Sequence, residues 1–220
     1  MFDLWARQWK QRHARGEIVV VRFADDLVVC FQHRDDAERF WADLRERFAQ
    51  FNLALNDDKT PLIEFGRFAA KNRHARGLRK PETFEFLGFT HICARDKHGR
   101  FKLRRVTSKK RMRTKLSSVK SELRRRMHLP IPEQGEWLGR VVRGHVAYYA
   151  VPDNSHALHA FRNSITRHWR HTLTRRSQKG YVTRPRMRAL ADTWLPQPRI
   201  PHPWPDARFN AKTQGRSPVR

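Results

Sequence analysis

An α+β chain followed by a helical region is predicted by three features of the sequence: apolar β-branched runs flanking two adjacent aspartates, helical stripes through the second half, and a cationic excess gathered in that half. In residues 18–31, Ile18, Val19, Val20 and Val21 precede Asp25 and Asp26, and Leu27, Val28, Val29 and Phe31 follow. Val and Ile pack well on a pleated surface, and the short link between the runs leaves room only for a tight turn, so a hairpin with an acidic tip is expected. Ala37, Phe40, Trp41, Leu44, Phe48 and Phe51 then recur every three or four residues, predicting a helix over residues 35–52 that covers one face of the hairpin, with Asp35 or Asp36 as its cap. Asn56 to Pro61 forms a polar turn before a short strand at 62–65, and the basic, Gly-containing stretch 66–82 reads as an exposed loop. Alternation at 84–89, with turn residues at 96–99, predicts a second hairpin.

Beyond it, Ser108 opens a run in which Met112, Leu116, Val119, Leu123 and Met127 make one stripe, and Pro130 and Pro132 are expected to stop that helix. A second helix is predicted over 134–150, from Trp137, Leu138, Val141, Val142, Val146 and Tyr149, and a third through Leu158, Phe161, Ile165, Trp169 and Leu173. From Arg184 onward the chain holds seven of its twelve prolines and reads as an extended tail. The expected organisation is therefore residues 1–103, 104–183 and 184–220.

The 220 residues carry 47 Lys and Arg against 21 Asp and Glu, a formal charge of +26, far more than solubility requires. Residues 1–101 hold 19 basic and 15 acidic side chains and residues 102–220 hold 28 and 6, so the second part alone is +22 and calls for a polyanion. With no long apolar span, signal peptide or lipidation motif, a membrane partner is not expected and a cytoplasmic setting is the default. Cys30 and Cys93 have no metal-type spacing and read as ordinary core thiols. Asp25 and Asp26 repel each other, so a divalent cation is their natural neutraliser, and hard oxygen ligands favour Mg²⁺; a solvated Asp-Asp turn is the alternative.

The order of these motifs resembles the later palm motifs of reverse transcriptases encoded by bacterial group II introns: Phe23-Ala24-Asp25-Asp26 on a hairpin, a helix, Leu55-Asn56-Asp57-Asp58-Lys59-Thr60, then Phe84-Glu85-Phe86-Leu87-Gly88-Phe89. Downstream, Arg143-Gly144-His145-Val146-Ala147-Tyr148-Tyr149-Ala150-Val151-Pro152-Asp153-Asn154, with Leu158, Phe161, Trp169 and Arg175-Arg176-Ser177-Gln178-Lys179-Gly180, resembles the maturase or thumb domain of the same proteins. The likeness extends to Leu195-Pro196 and His202-Pro203-Trp204-Pro205, covering about residues 17–205.

This resemblance implies a partial polymerase palm, a thumb/maturase helical domain and a Pro-rich basic tail. It implies Asp25 and Asp26 as catalytic Mg²⁺ ligands, Lys59 as a phosphate-pairing or proton-donating residue, and Phe23, Ala24, Phe86, Leu87 and Gly88 at the primer end or nucleotide. Phe23 stands where many members carry Tyr, which removes a hydroxyl. The implied partners are group II intron RNA and a DNA primer or RNA/DNA hybrid, with dNTP only where the palm is complete. The implied roles are RNA-directed DNA synthesis and assistance in splicing and mobility. Expected RNA contacts are Lys109, Lys110, Arg111, Arg113, Lys115, Arg143, His145, Arg167, Arg170, Arg175, Arg176 and Lys179. Trp137, Tyr148 and Trp169 suit either a core or a base-stacking platform.

A polymerase of this type needs a further aspartate from an earlier palm strand and a set of fingers, yet only about sixteen residues precede the acidic hairpin. Asp3 does not substitute, because Phe2, Trp5 and Trp9 place it on a helix end. The expectation is an N-terminally truncated protein that binds Mg²⁺ weakly and has little or no polymerase activity alone. The alternative is a non-catalytic RNA-binding splicing cofactor or a relic fragment.

Overall fold

The computed structural model describes residues 2–56, 60–177 and 180–204, and its contacts divide into two units, Met1–Leu87 and Gly88–Arg220. Both hairpins and the helical second half are present, as the α+β reading requires.

The first unit runs α1 (Phe2–His13), β1 (Ile18–Phe23), β2 (Asp26–Phe31), α2 (Arg34–Ala49), α3 (Ala69–Ala75) and β3 (Phe84–Phe86). β1 and β2 pair antiparallel with Ile18 opposite Phe31 and Phe23 opposite Asp26, so Ala24 and Asp25 form the two-residue connection. Side chains alternate across a strand, and Ile18, Val20, Val29 and Phe31 therefore turn together toward a core that α1 fills with Ala6 and Trp9 and α2 with Phe40 and Leu44. The Phe40 ring meets Trp9 edge-on at 5.0 Å and Phe31 at 5.2 Å. On the other face Val19, Val21 and Phe23 are exposed.

Three local expectations change. Neither Asp35 nor Asp36 caps α2: His33 is the N-cap and offers no side-chain bond. Asp36 is buried instead, where its Oδ2 accepts from the Arg15 and Gly16 amides at 2.9 and 3.2 Å and its Oδ1 from Arg39 at 2.6 Å, satisfying donors of the link between α1 and β1. Burial alone would raise this carboxyl, but those hydrogen bonds hold it below the ordinary aspartate value. Residues 62–65 form no strand, and the stretch expected as loop contains α3, braced by ion pairs from Arg76 to Glu64 and from Arg73 to Glu82.

The second unit contains β4 (Phe89–Arg95), β5 (Phe101–Thr107), α4 (Lys109–Arg125), α5 (Ile131–Tyr149), α6 (Ser155–Thr174) and α7 (Arg184–Trp194). β4 and β5 pair antiparallel around a turn in which Asp96 accepts from the amides of His98 and Arg100. Ser108 caps α4 as expected, its hydroxyl accepting from the Arg111 amide. α4 ends before the two prolines, and Pro132 lies in the first turn of α5, where a missing N–H removes no helical bond.

Val119 and Leu123 of α4, Leu138 and Val142 of α5, and Phe161, Ile165, Trp169 and Leu173 of α6 share one core with Met187, Ala191 and Leu195. A buried polar hub stiffens it. The Trp169 Nε1 donates to Gln134 Oε1 at 2.9 Å, and Gln134 Nε2 donates to the carbonyls of Arg126, Met127 and Leu129. α7 is the element the sequence conceals, because the proline content from Arg184 onward reads as extended chain. Pro185 falls in its first turn, Thr183 caps it, and the buried Arg162 guanidinium donates to the Ala191 and Leu195 carbonyls and to Asp192. Residues 195–204 then run without helix or strand.

Candidate functional site

Two surfaces carry the chemistry, one in each unit. The first is the hairpin tip. Ala24 has φ +50, the left-handed conformation that lets two strands reverse in two residues. The reversal leaves Asp25 in the connection and Asp26 at the start of β2, both exposed, beside an exposed Phe23. Asp3, on α1, pairs with Arg22 of β1 at 2.8 Å. Hard carboxylate oxygens suit Mg²⁺ in kind, but among the described residues no group of three or more His, Cys, Asp and Glu could hold a metal ion. Lys59 lies outside the described residues.

A second strained turn follows β3. Leu87 and Gly88 succeed each other with φ +49 and +77, the left-handed pair that a type I′ turn uses. Phe86 and Leu87 are half-buried. Gly88 is needed for room as well as for φ, since a Cβ there would lie 2.8 Å from the Tyr149 hydroxyl oxygen.

The second surface is cationic. On α4, Lys109, Lys110, Arg111, Arg113 and Lys115 are all exposed, because the apolar stripe turns Val119 and Leu123 inward. Arg143, Arg167 and Arg175 are exposed too. Three of the expected contact residues are engaged differently. Arg170 Nε donates to the Val182 carbonyl at 2.9 Å, and Arg176 donates to the carbonyls of His128 and Leu129, so both brace loops. His145 is buried with its ring stacked on Phe161 at 3.6 Å. Burial, aided by the Lys115 charge, lowers its pKa to about 4 and keeps it neutral. Lys179 lies outside the described residues.

Between α4 and α5 a cavity of about 350 Å³ is lined by Lys115, Ser118, Ser121, Glu122, Arg125 and Trp137, among others. Glu122 pairs with Arg126 at 2.7 Å and with Arg125 at 3.7 Å.

Comparison with known families finds a match for one part of the chain. Residues 1–91 match the family model described as Reverse transcriptase (RNA-dependent DNA polymerase). No curated protein matches the chain. The reverse transcriptase match covers the acidic hairpin, α2 and the turn at Leu87 and Gly88, so the palm-like residues of the sequence resemblance fall inside it, whereas the stretch from Arg143 to Pro205 lies outside it. Reverse transcriptases as a family work on nucleic acid and use divalent metal. No described helix is long and apolar enough to cross a membrane.

Sequence reasoning missed the residues that hold the second surface in place. Asn154 is fully buried: its Oδ1 accepts from the Thr107 amide at 2.9 Å, and its Nδ2 donates to Thr107 Oγ1 and the Tyr149 carbonyl, both at 2.8 Å. Asn154 closes the quoted Arg143–Asn154 stretch and stands just before a predicted helix, a place where asparagine also serves as an ordinary cap.

Proposed function

We propose that this chain is a group II intron-type reverse transcriptase/maturase protein whose second unit binds structured intron RNA and assists splicing and mobility. The observation that carries this reading is the exposed cationic face of α4. Its first turn holds Lys109, Lys110 and Arg111 and no acidic residue, although cations oppose the positive end of a helix dipole. A sequence that accepts this local cost gains a place where phosphate is attracted by side chains and helix together. The charge of +22 over residues 102–220 extends that attraction beyond one helix. Intron RNA is the favoured polyanion because the sequence resemblance to maturases covers the same helices.

In the first unit, Asp25 and Asp26 are the carboxylates through which a reverse transcriptase would hold Mg²⁺. Bound metal supplies charge neutralisation at the transferring phosphoryl group. The chain's own contribution is to fix two oxygen donors on a rigid tip, with Phe23 beside them. Two donors without a further ligand bind metal weakly, so RNA-directed DNA synthesis by this chain alone is expected to be little or none.

The test is the salt dependence of binding to a group II intron RNA by the full chain. With six or more phosphate contacts, affinity falls by roughly 10³-fold or more between 50 and 200 mM salt. Changing Lys109, Lys110, Arg111 and Arg113 together to Gln weakens binding and flattens the slope. A slope near zero for the wild-type chain removes the proposal.

A further inference from the structure

The three aromatic residues that suited either a core or a stacking platform are separated by the structure. Trp169 is fully buried, and Trp137 is half-buried under the Arg126 guanidinium at 5.0 Å. Tyr148 is different: it is 56% exposed on the last turn of α5. An exposed tyrosine has little meaning by itself, but this one rests on a built support. Its ring lies within 13° of parallel to Phe89 at 6.0 Å, and Tyr149 packs edge-on against it at 4.8 Å. Tyr149 in turn fills the space a Cβ would need at Gly88, and its carbonyl accepts from the buried Asn154 that ties it to Thr107. The ring is therefore held before any ligand arrives, and stacking on it orders few further torsions.

We infer that Tyr148, backed by Phe89 and fixed through Tyr149 and Asn154, is a stacking site for an unpaired base of single-stranded nucleic acid. This rests on the reading that the second unit binds nucleic acid, and adds a contact that phosphate attraction does not provide. Every base has a π-face, so the site takes unpaired bases with little sequence preference and has no use for a base inside a duplex.

The experiment measures anisotropy of the full chain with a labelled oligouridylate and with a fully paired RNA duplex of equal length, over a range of salt. Tyr148→Ala weakens the single strand by roughly 5- to 150-fold, leaves the duplex within about twofold, and leaves the salt slope unchanged because no phosphate contact is lost. Tyr148→Phe keeps the ring and binds like wild type. Equal losses on both probes, or a Tyr148→Phe variant as weak as Tyr148→Ala, overturn the stacking site, and the duplex arm reports whether the variant still folds. If wild type binds both probes and Tyr148→Ala changes neither, only the stacking site falls. If wild type binds neither, the reading of the second unit as nucleic-acid-binding falls with it.

Discussion

The two units solve the problem of charge in opposite ways. Residues 1–87 carry 16 basic and 14 acidic side chains, and several of their cations find partners within the unit: Arg22 with Asp3, Arg34 with Glu38, Arg39 with Asp36, Arg76 with Glu64. Residues 88–220 carry 31 against 7, so internal pairing cannot balance them. Several of the few acids there serve as anchors: Asp153 holds Lys102 at 2.7 Å, Asp192 holds Arg162, and Glu122 holds Arg126. Near-balance leaves a surface with little net sign, whereas imbalance leaves a surface that attracts a polyanion wherever it is not bracing its own loops.

Acid provides the strongest way to split the units. The folded state holds His145 at about 4, below the ordinary 6.5, so between those values the unfolded chain takes up a proton that the native one does not. Stability of the second unit is full above about pH 6.5 and falls as pH drops toward 4, by roughly 3 kcal/mol in all. His168, lowered first by burial and then by nearby cations, adds in the same direction. Asp36 in the first unit is depressed as well, but an acid lowered in the fold keeps its contribution above its unfolded value and loses it only as pH falls through the folded one. Hydrogen exchange at pH 7, 5.5 and 4.5 should therefore show protection falling in α5 and α6 while α2 holds. His145→Phe keeps a ring against Phe161 and removes most of the difference; equal loss in both units would contradict the assignment.

How much of this was legible in the sequence depends on whether a residue's partner is fixed by periodicity. The acidic hairpin and the main helices were, because alternation and a period near 3.6 decide which side chains share a face. His145 was legible in the same way: it follows Leu138 and Val142 at helical spacing on the buried stripe, and reading it as an RNA contact set aside that position. Arg170 and Arg176 were not, since spacing gives the helix face but says nothing of the loop that folds against it and takes the guanidinium for its carbonyls. α7 was hidden because proline is punctuation in a sequence but harmless in a first turn. The acidic pair was legible by adjacency alone, whereas whether other side chains converge on it is a matter of three-dimensional structure that adjacency cannot report.

A smaller effect sharpens the contrast by setting stability against binding on one helix. Lys109→Glu and Lys110→Glu place acids in the first turn of α4, where they complement the dipole instead of opposing it. Each is expected to stabilise the second unit by about 0.3–1 kcal/mol at low salt in thermal melts. The same pair should weaken RNA binding and reduce its salt slope by about two phosphate contacts. A variant that gains stability and keeps its affinity would show that the first turn of α4 does not meet phosphate.

A further effect of similar size belongs to the acidic tip. Ala24 adopts φ +50, a conformation that glycine enters without the Cβ clash an alanine suffers. Ala24→Gly removes that strain but also loosens the unfolded chain, so the net gain is about 0.5–1 kcal/mol, read as a shift in the urea midpoint at unchanged m value. Because the substitution relaxes the turn without touching a charge, RNA affinity should stay within about twofold of wild type. A loss of stability would mean that the alanine methyl makes a contact worth more than its strain, and that the tip is held by packing rather than by the backbone alone.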